Sequence, residues 1–348
     1  MSILIVTDAW RPQVNGVVLT LERLAETLAE FGIQTAFLTP NDFRTVPMPS
    51  YPEIRLSLAT SSKVARCIDE LRPERIHIAT EGPLGVLARK VCLARGLAFT
   101  TSYHTRFPEF IRARVPFPES WSYRWLRNFH NAGNGILVAT PSMGAELAAR
   151  GFKNIRLWSR GVDTSLFHPS RREEVGLPRP IFLSVGRVAV EKNLPAFLGL
   201  NLPGSKVVVG DGPDLQRLKV KYPDVHFLGT RRGTELAHIY ASADVFVFPS
   251  KTDTFGNVIL EALASGCPVA AYPVTGPLDI IGEGHGGVLS DDLREAALAA
   301  MNISRACARK RVMAYDWNEC ARQFLQFSIS VRSESEPTPS ALQNALSD

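Results

Sequence analysis

The sequence predicts an α/β chain built from two doubly wound units. Its 348 residues exceed one ordinary domain and suffice for two, each large enough to bury a core. Short apolar runs with β-branched content alternate with longer helix-like stretches, the pattern of a parallel sheet. The alternation runs through the first half, pauses, and restarts, which divides the chain in two.

Taken in order, residues 3–7, 34–39, 75–79, 97–102 and 135–140 are the predicted strands of the first unit, with helices between them over 17–31 and 83–95. Around 162–179, Asp163, His168-Pro169, a charged run over 171–174 and Pro178 and Pro180 predict a linker. Strands resume at 181–185, 206–209, 225–228, 245–248 and 268–271. Ligands of such units sit beyond the carboxyl ends of the strands, so two units facing each other make a cleft and motifs should follow strands. Residues 330–348, with Ser333, Ser335, Pro337 and Pro339 and little to form a core, predict a disordered tail.

Hydrophobic residues at 45% and charged residues at 21% exclude a wholly disordered, collagen-like or coiled-coil chain. Cys67, Cys92, Cys267, Cys307 and Cys320 are odd in number and form no CxxC, which argues against a disulfide scaffold and a zinc cluster. The first seven residues are apolar without a basic leader, and Asp8, Arg11 and Pro12 interrupt them, so no signal peptide is expected. No window reaches the roughly 18 apolar residues of a membrane span, and the expectation is a soluble or peripheral protein. Residues 1–170 hold 20 Lys and Arg against 14 Asp and Glu, and 171–348 hold 19 against 20, so the net charge of +5 comes from the first half. A basic half suits either nucleic acid or an anionic membrane surface.

Four segments could carry chemistry. After the first strand, Asn15 and Gly16 open a helix whose amides can approach an anion. In the second half, Gly186, Arg187 and Lys192 follow a strand, and the two cations suit a diphosphate: Arg grips phosphate oxygens with a planar fork, and Lys adds a compact charge. Gly210-Asp211-Gly212 makes a turn that lets backbone approach a ligand. The segment 248–269 carries strand, loop, helix, glycine stop and strand. Asp253 in its loop can accept from sugar hydroxyls, the amides near Asn257 and Val258 can donate to phosphate, and Glu261 can accept from two ribose hydroxyls.

Together these residues resemble the retaining glycosyltransferases of family four, over about residues 3–327. The resemblance implies the GT-B architecture, two Rossmann-like domains across a cleft, with an acceptor-side domain over 1–168 and a nucleotide-sugar domain over 169–315. It also implies a final helix over 316–329 that returns to the first domain. In that family the Asn15-Gly16 loop, the Arg187 and Lys192 pair and the two acidic positions line the donor site. Glu is usual at both acidic positions, and Asp253 resembles the bacterial glycolipid and mannosyl transferases. The resemblance places His104, in Thr101-Ser102-Tyr103-His104-Thr105, close to the transferring sugar, and it makes Arg187, Lys192, Asp253 and His104 the catalytic set. Glu81-Gly82-Pro83 either lines the acceptor side or starts a helix.

Between 106 and 129, Arg106, Arg112, Arg114, Arg124 and Arg127 alternate with Phe107, Phe110, Phe117, Trp121, Tyr123, Trp125 and Phe129. Such a stretch either meets an anionic membrane surface or packs a core. The reading favoured by the resemblance is metal-independent retaining transfer of a hexose or hexuronic acid from a UDP-sugar such as UDP-glucose to diacylglycerol, peripheral on the cytoplasmic face of the membrane. A GDP-mannose-dependent α-mannosyltransferase is the alternative. An NAD-dependent oxidoreductase would need a GxGxxG that neither half carries, and a nucleic-acid binder leaves Asp253, Glu261, Arg187 and Lys192 without a shared purpose. No cofactor and no nucleic-acid partner are expected.

Overall fold

The computed structural model describes residues 1–329 apart from 14, 49–50, 113–117 and 283–285. The expectation of a disordered tail lies outside the described residues, and so do Arg114 and Phe117.

The first domain runs β1 (Ser2–Val6), α1 (Gly16–Glu30), β2 (Gln34–Leu38), β3 (Thr45–Met48), β4 (Tyr51–Ser57), α2 (Ser61–Leu71), β5 (Arg75–Ile78), α3 (Pro83–Arg95), β6 (Thr100–Tyr103), α4 (Phe107–Arg112), α5 (Glu119–His130), β7 (Gly135–Val138), α6 (Pro141–Ala149) and β8 (Ile155–Leu157). Its main sheet is parallel in the order β2-β1-β5-β6-β7-β8. Ile3, Leu4, Ile5 and Val6 are all buried because helices cover both faces, which is why this strand reads as an unbroken apolar run. Asn15 ends the loop after β1 by capping α1: its Oδ1 accepts from the amides of Val17 and Val18, both at 3.0 Å. Pro83 opens α3 and Gly96 closes it in the left-handed conformation.

The second domain continues β9 (Ile181–Val185), α7 (Leu194–Leu198), β10 (Ser205–Val209), α8 (Leu215–Lys221), β11 (His226–Phe227), α9 (Gly233–Ser242), β12 (Val245–Phe248), α10 (Asn257–Ala264), β13 (Val269–Ala271), α11 (Pro277–Ile281), β14 (Gly287–Leu289), α12 (Leu293–Ala300) and α13 (Arg305–Val312), and α14 (Trp317–Phe327) follows it. The second sheet is also parallel, in the order β11-β10-β9-β12-β13-β14. Two Rossmann-like domains result. Three short elements escape the sequence pattern: β8 and β14 have three residues each, and the antiparallel β3–β4 hairpin carries Pro47 and Pro52, which break a strand pattern but are tolerated off the main sheet.

The chain crosses between the domains earlier than the composition of its linker suggests. Val162 and Phe167 already pack in the second core, Phe167 edge-on to Tyr240 with ring centroids 5.8 Å apart. The return crossing lies alongside, where the Val162 amide donates to the Tyr315 carbonyl at 3.2 Å. Helix α14 then packs into the first domain beside Leu21, Leu24 and Leu28. There the Trp158 indole donates to the Cys320 carbonyl at 3.0 Å, and Arg75 Nη1 donates to the Leu325 carbonyl at 2.7 Å.

In each sheet the strand order reverses direction at one place, between β1 and β5 in the first and between β9 and β12 in the second. Successive crossovers leave on opposite faces there, which opens a crevice at the carboxyl ends. The loops over 7–15, 79–82, 186–193 and 249–256 are those that follow these four strands.

Candidate functional site

The rim of the second sheet gathers Gly186, Arg187, Lys192, Pro249 and Ser250 around one small crevice. Lys192 Nζ lies 2.5 Å from Asp253 Oδ1. The other Asp253 oxygen is buried without a hydrogen-bond partner, so this carboxylate retains an unused acceptor. Helix α10 begins at Asn257 after Gly256, and its first amides open on the same loop. One turn on, Glu261 accepts from the Tyr240 hydroxyl at 3.0 Å, and burial pushes its carboxyl up to about 7 despite that bond. Gly210 has a packing reason to be glycine. A Cβ there would lie 1.9 Å from the Gly186 carbonyl, so its lack of a side chain lets two loops pack together, and φ of +138° favours glycine as well.

On the facing rim, Asp8 is half-buried and folds back onto α3. Its Oδ1 accepts from the Leu84 amide at 2.8 Å, and its Oδ2 from the Gly85 amide at 3.1 Å and the Thr80 hydroxyl at 3.0 Å. A side chain at Gly82 would collide with this carboxyl, its Cβ 2.4 Å from Asp8 Cγ. The helix start after Glu81 is therefore capped by Asp8, and Glu81 itself lies against His130, whose Nε2 is 3.0 Å from Glu81 Oε1. His130 is buried, with Nδ1 2.9 Å from the Thr101 hydroxyl. His104 follows β6. Its Nδ1 lies 3.2 Å from Arg160 Nη2, its Nε2 is buried without a partner, and burial with the Arg160 charge and the His77 and His130 rings holds it well below the usual histidine range. His77 beneath it is driven down to about 3 by burial and the Arg160 charge, its nitrogens held by Thr100 and Ser102.

The two rims touch. Thr254 Oγ1 donates to the His104 carbonyl at 2.6 Å, and Asn257 Nδ2 donates to the Thr20 hydroxyl at 3.2 Å and the Gly16 carbonyl at 3.4 Å. His104 and the Asp253 loop are thus brought together, as are Gly16 and Asn257. The Asn15 side chain is occupied in capping α1 and the Asn257 side chain in holding α1, which leaves backbone amides as what these two positions can offer a ligand. Among the described residues no group of His, Cys, Asp and Glu could hold a metal ion. A larger cavity of ≈ 330 Å³ lies at the domain crossings, lined by Glu26, Glu30, Asp163, Asp316 and Arg23, away from these loops.

Two arginines expected on an outer surface do not belong there. Arg106 is 13% exposed: it pairs with Glu146 at 2.5 Å and Glu109 at 3.2 Å and reaches across to the Thr275 hydroxyl of the second domain at 3.0 Å. Arg127 is half-buried and donates to the Arg150 carbonyl at 3.1 Å. Tyr123 and Phe129 are core residues. Trp121, Arg124 and Trp125, spaced three and four apart, form the outward stripe of α5, with Phe107 and Arg112 of α4 exposed as well. Sequence reading passed over Arg160, Tyr240 and His130, which contact expected site residues from behind. An Arg-Gly pair just past a short apolar strand is the signal that could have drawn attention to Arg160.

Comparison with known proteins gives three kinds of match. The Glycosyltransferase Family 4 model matches residues 14–166 and the Glycosyl transferases group 1 model residues 179–305. A GDP-mannose-dependent alpha-mannosyltransferase of Mycobacterium tuberculosis is 32% identical over 315 residues, 83% of each chain. The sulfoquinovosyl transferase of Arabidopsis thaliana is 37% identical over 265 residues, 70% of this chain and 51% of that one. Among solved structures, sucrose-phosphate synthase from Thermosynechococcus elongatus superposes with a TM-score of 0.73 at 22% identity, covering 93% of this chain and 97% of that one.

Proposed function

Because the chain belongs to glycosyltransferase family 4, we propose that it transfers mannose from GDP-mannose to a hydroxyl of a lipid acceptor, retaining the anomeric configuration. The observation that carries the transfer chemistry is the convergence of Arg187, Lys192 and Asp253 on one rim with His104 on the other, joined by the Thr254 to His104 contact. Arg187 and Lys192 receive the diphosphate and stabilise the charge that builds as it departs. Lys192 leaves Asp253 for the phosphates as the donor binds, and Asp253 then accepts from sugar hydroxyls. Glu261 accepts from the ribose. The departing phosphate takes the proton of the attacking hydroxyl, so front-side attack needs no further base. GDP-mannose is preferred over the UDP-sugar first expected because the mycobacterial relative covers most of both chains. The UDP-sugar reading stays second, since the plant relative has the higher identity over a shorter span and a different sugar in its name.

The lipid acceptor rests on α4 and α5. Trp121 at 69% exposure, Trp125 at 43% and Arg124 share the outward stripe of α5, and Phe107 and Arg112, the latter paired with Glu119, are exposed on α4, rings and cations that suit an anionic bilayer surface. No described helix is long and apolar enough to cross a membrane. Incubating the purified protein with each labelled nucleotide-sugar and total membrane lipids, then resolving the products, tests donor and acceptor together. Label moving from GDP-mannose into the lipid phase supports the proposal. Label moving only from a UDP-sugar, or only into water-soluble saccharide, overturns it.

A further inference from the structure

Arg160 is 3% exposed and stands directly behind His104. Its Nη1 donates to the carbonyls of Trp158 at 2.9 Å and Ser159 at 3.0 Å, and its guanidinium lies 4.2 Å over the Trp158 ring. Among the described residues no carboxylate forms an ion pair with it. Its Nη2 faces His104 Nδ1 at 3.2 Å. A guanidinium has donors only, so Nδ1 must present its lone pair, and the one ring proton of a neutral imidazole must then sit on Nε2. That Nε2 is buried and has no protein acceptor. The nearby imidazoles are engaged elsewhere, His77 with Thr100 and Ser102, and His130 with Thr101 and Glu81.

We propose that Arg160 is a positioning residue that locks His104 as the Nε2–H tautomer, so that His104 donates a hydrogen bond to an oxygen of the bound nucleotide-sugar and takes no proton from the acceptor. This rests on the transfer reading above for the identity of the ligand, but the state of the ring follows from the protein alone. The groups facing the ring are Arg160 from the segment after β8, His77 from β5 and His130 from α5, and with burial they disfavour a second proton on it. Arg160 is itself lowered by burial to about 10 and stays charged at neutral pH. A buried cation without a carboxylate partner is costly to maintain, which fits a charge kept for a nearby ligand oxygen.

The test is imidazole nitrogen NMR on the full chain without ligand, with turnover measured in parallel. The wild type should show His104 protonated on Nε2 alone and not titrating between pH 5 and 9. Arg160→Met should give a mixture of tautomers, a severalfold loss of kcat and weaker binding of the nucleotide-sugar with GDP binding unchanged, whereas Arg160→Lys should keep the tautomer and recover part of the turnover. A wild-type ring protonated on Nδ1, or titrating near 6.5, overturns the proposal even where Arg160→Met does not fold. An Arg160→Met enzyme with wild-type tautomer and turnover overturns it as well. If the tautomer is as stated and His104→Ala leaves transfer unaffected, the hydrogen bond to the donor is overturned; if the tautomer is as stated and the wild type turns over no nucleotide-sugar, the state of the ring stands and the transfer reading fails.

Discussion

The two rims of the cleft hold their polar groups in opposite ways. On the second-domain rim Lys192 and Asp253 are partly exposed and neutralise one another at 2.5 Å, while Glu261 is held by the buried Tyr240. On the first-domain rim each group is backed by a buried partner, His104 by Arg160 and Glu81 by His130. Ions paired only with each other can exchange partners when a ligand arrives. Groups fixed from behind keep one orientation throughout. The movable charge of the diphosphate thus belongs to the second rim and the geometric fit of the sugar to the first.

Breaking the second rim should have the largest effect. Lys192→Ala or Arg187→Ala should lower kcat by about a hundredfold, the loss of about 3 kcal/mol typical of removing a donor from developing negative charge. Their melting temperatures should stay near wild type, because neither side chain is in a core. Wild-type turnover with a lower melting temperature would make both residues structural.

Arg106→Ala is the next largest and acts on stability. It takes the guanidinium from Glu109 and Glu146, which keep Tyr123 and Arg150 as partners, and deletes a contact between the domains, at a cost of about 2 kcal/mol. Urea titration reads this directly. An unchanged midpoint would return Arg106 to the outer surface.

Glu261→Gln gives a smaller effect with a defined sign. The folded carboxyl is raised from 4.5 to about 7, so between those values the native state binds more protons than the unfolded chain. Wild-type stability must therefore fall as pH rises from about 4.5 to about 7, and Gln removes that fall. Against wild type, the variant's urea midpoint should be higher at pH 8 than at pH 5. Ribose hydroxyls donate to the ionised form, so GDP affinity of the wild type should drop below pH 7, while the variant binds more weakly and with little pH dependence. A flat difference between the two pH values contradicts this role of Glu261.

The smallest effect belongs to the outer stripe, which lies on neither rim. Changing Arg112 and Arg124 to Gln should reduce co-sedimentation with anionic liposomes, at about 1 kcal/mol for each cation, and added salt should reduce wild-type pelleting too. Equal pelleting of both proteins on anionic vesicles, or no preference of the wild type for anionic over neutral ones, would remove the membrane from the account.

Much of this architecture is legible in the sequence because buried parallel strands print as apolar runs: β1, β9 and β12 follow the predicted ranges closely. The motif loops are legible for the same reason, since each directly follows such a run. What stays hidden is contact at a distance. Arg160 meets His104 across 56 residues, and Arg106 meets Glu146 across 40 and Thr275 across 169. Composition counted Arg106 among surface cations because a run of arginines and aromatics does not state which side chains turn inward.

Calorimetry with GDP and with GDP-mannose tests the division between the rims most directly. Both ligands carry the nucleotide and diphosphate, and only the second carries the sugar. Lys192→Ala should weaken both, and His104→Ala should weaken GDP-mannose while leaving GDP at its wild-type affinity. Equal losses of the two ligands in His104→Ala, or none in either, would contradict a donor shared between a charge-exchanging rim and a rim fixed from behind.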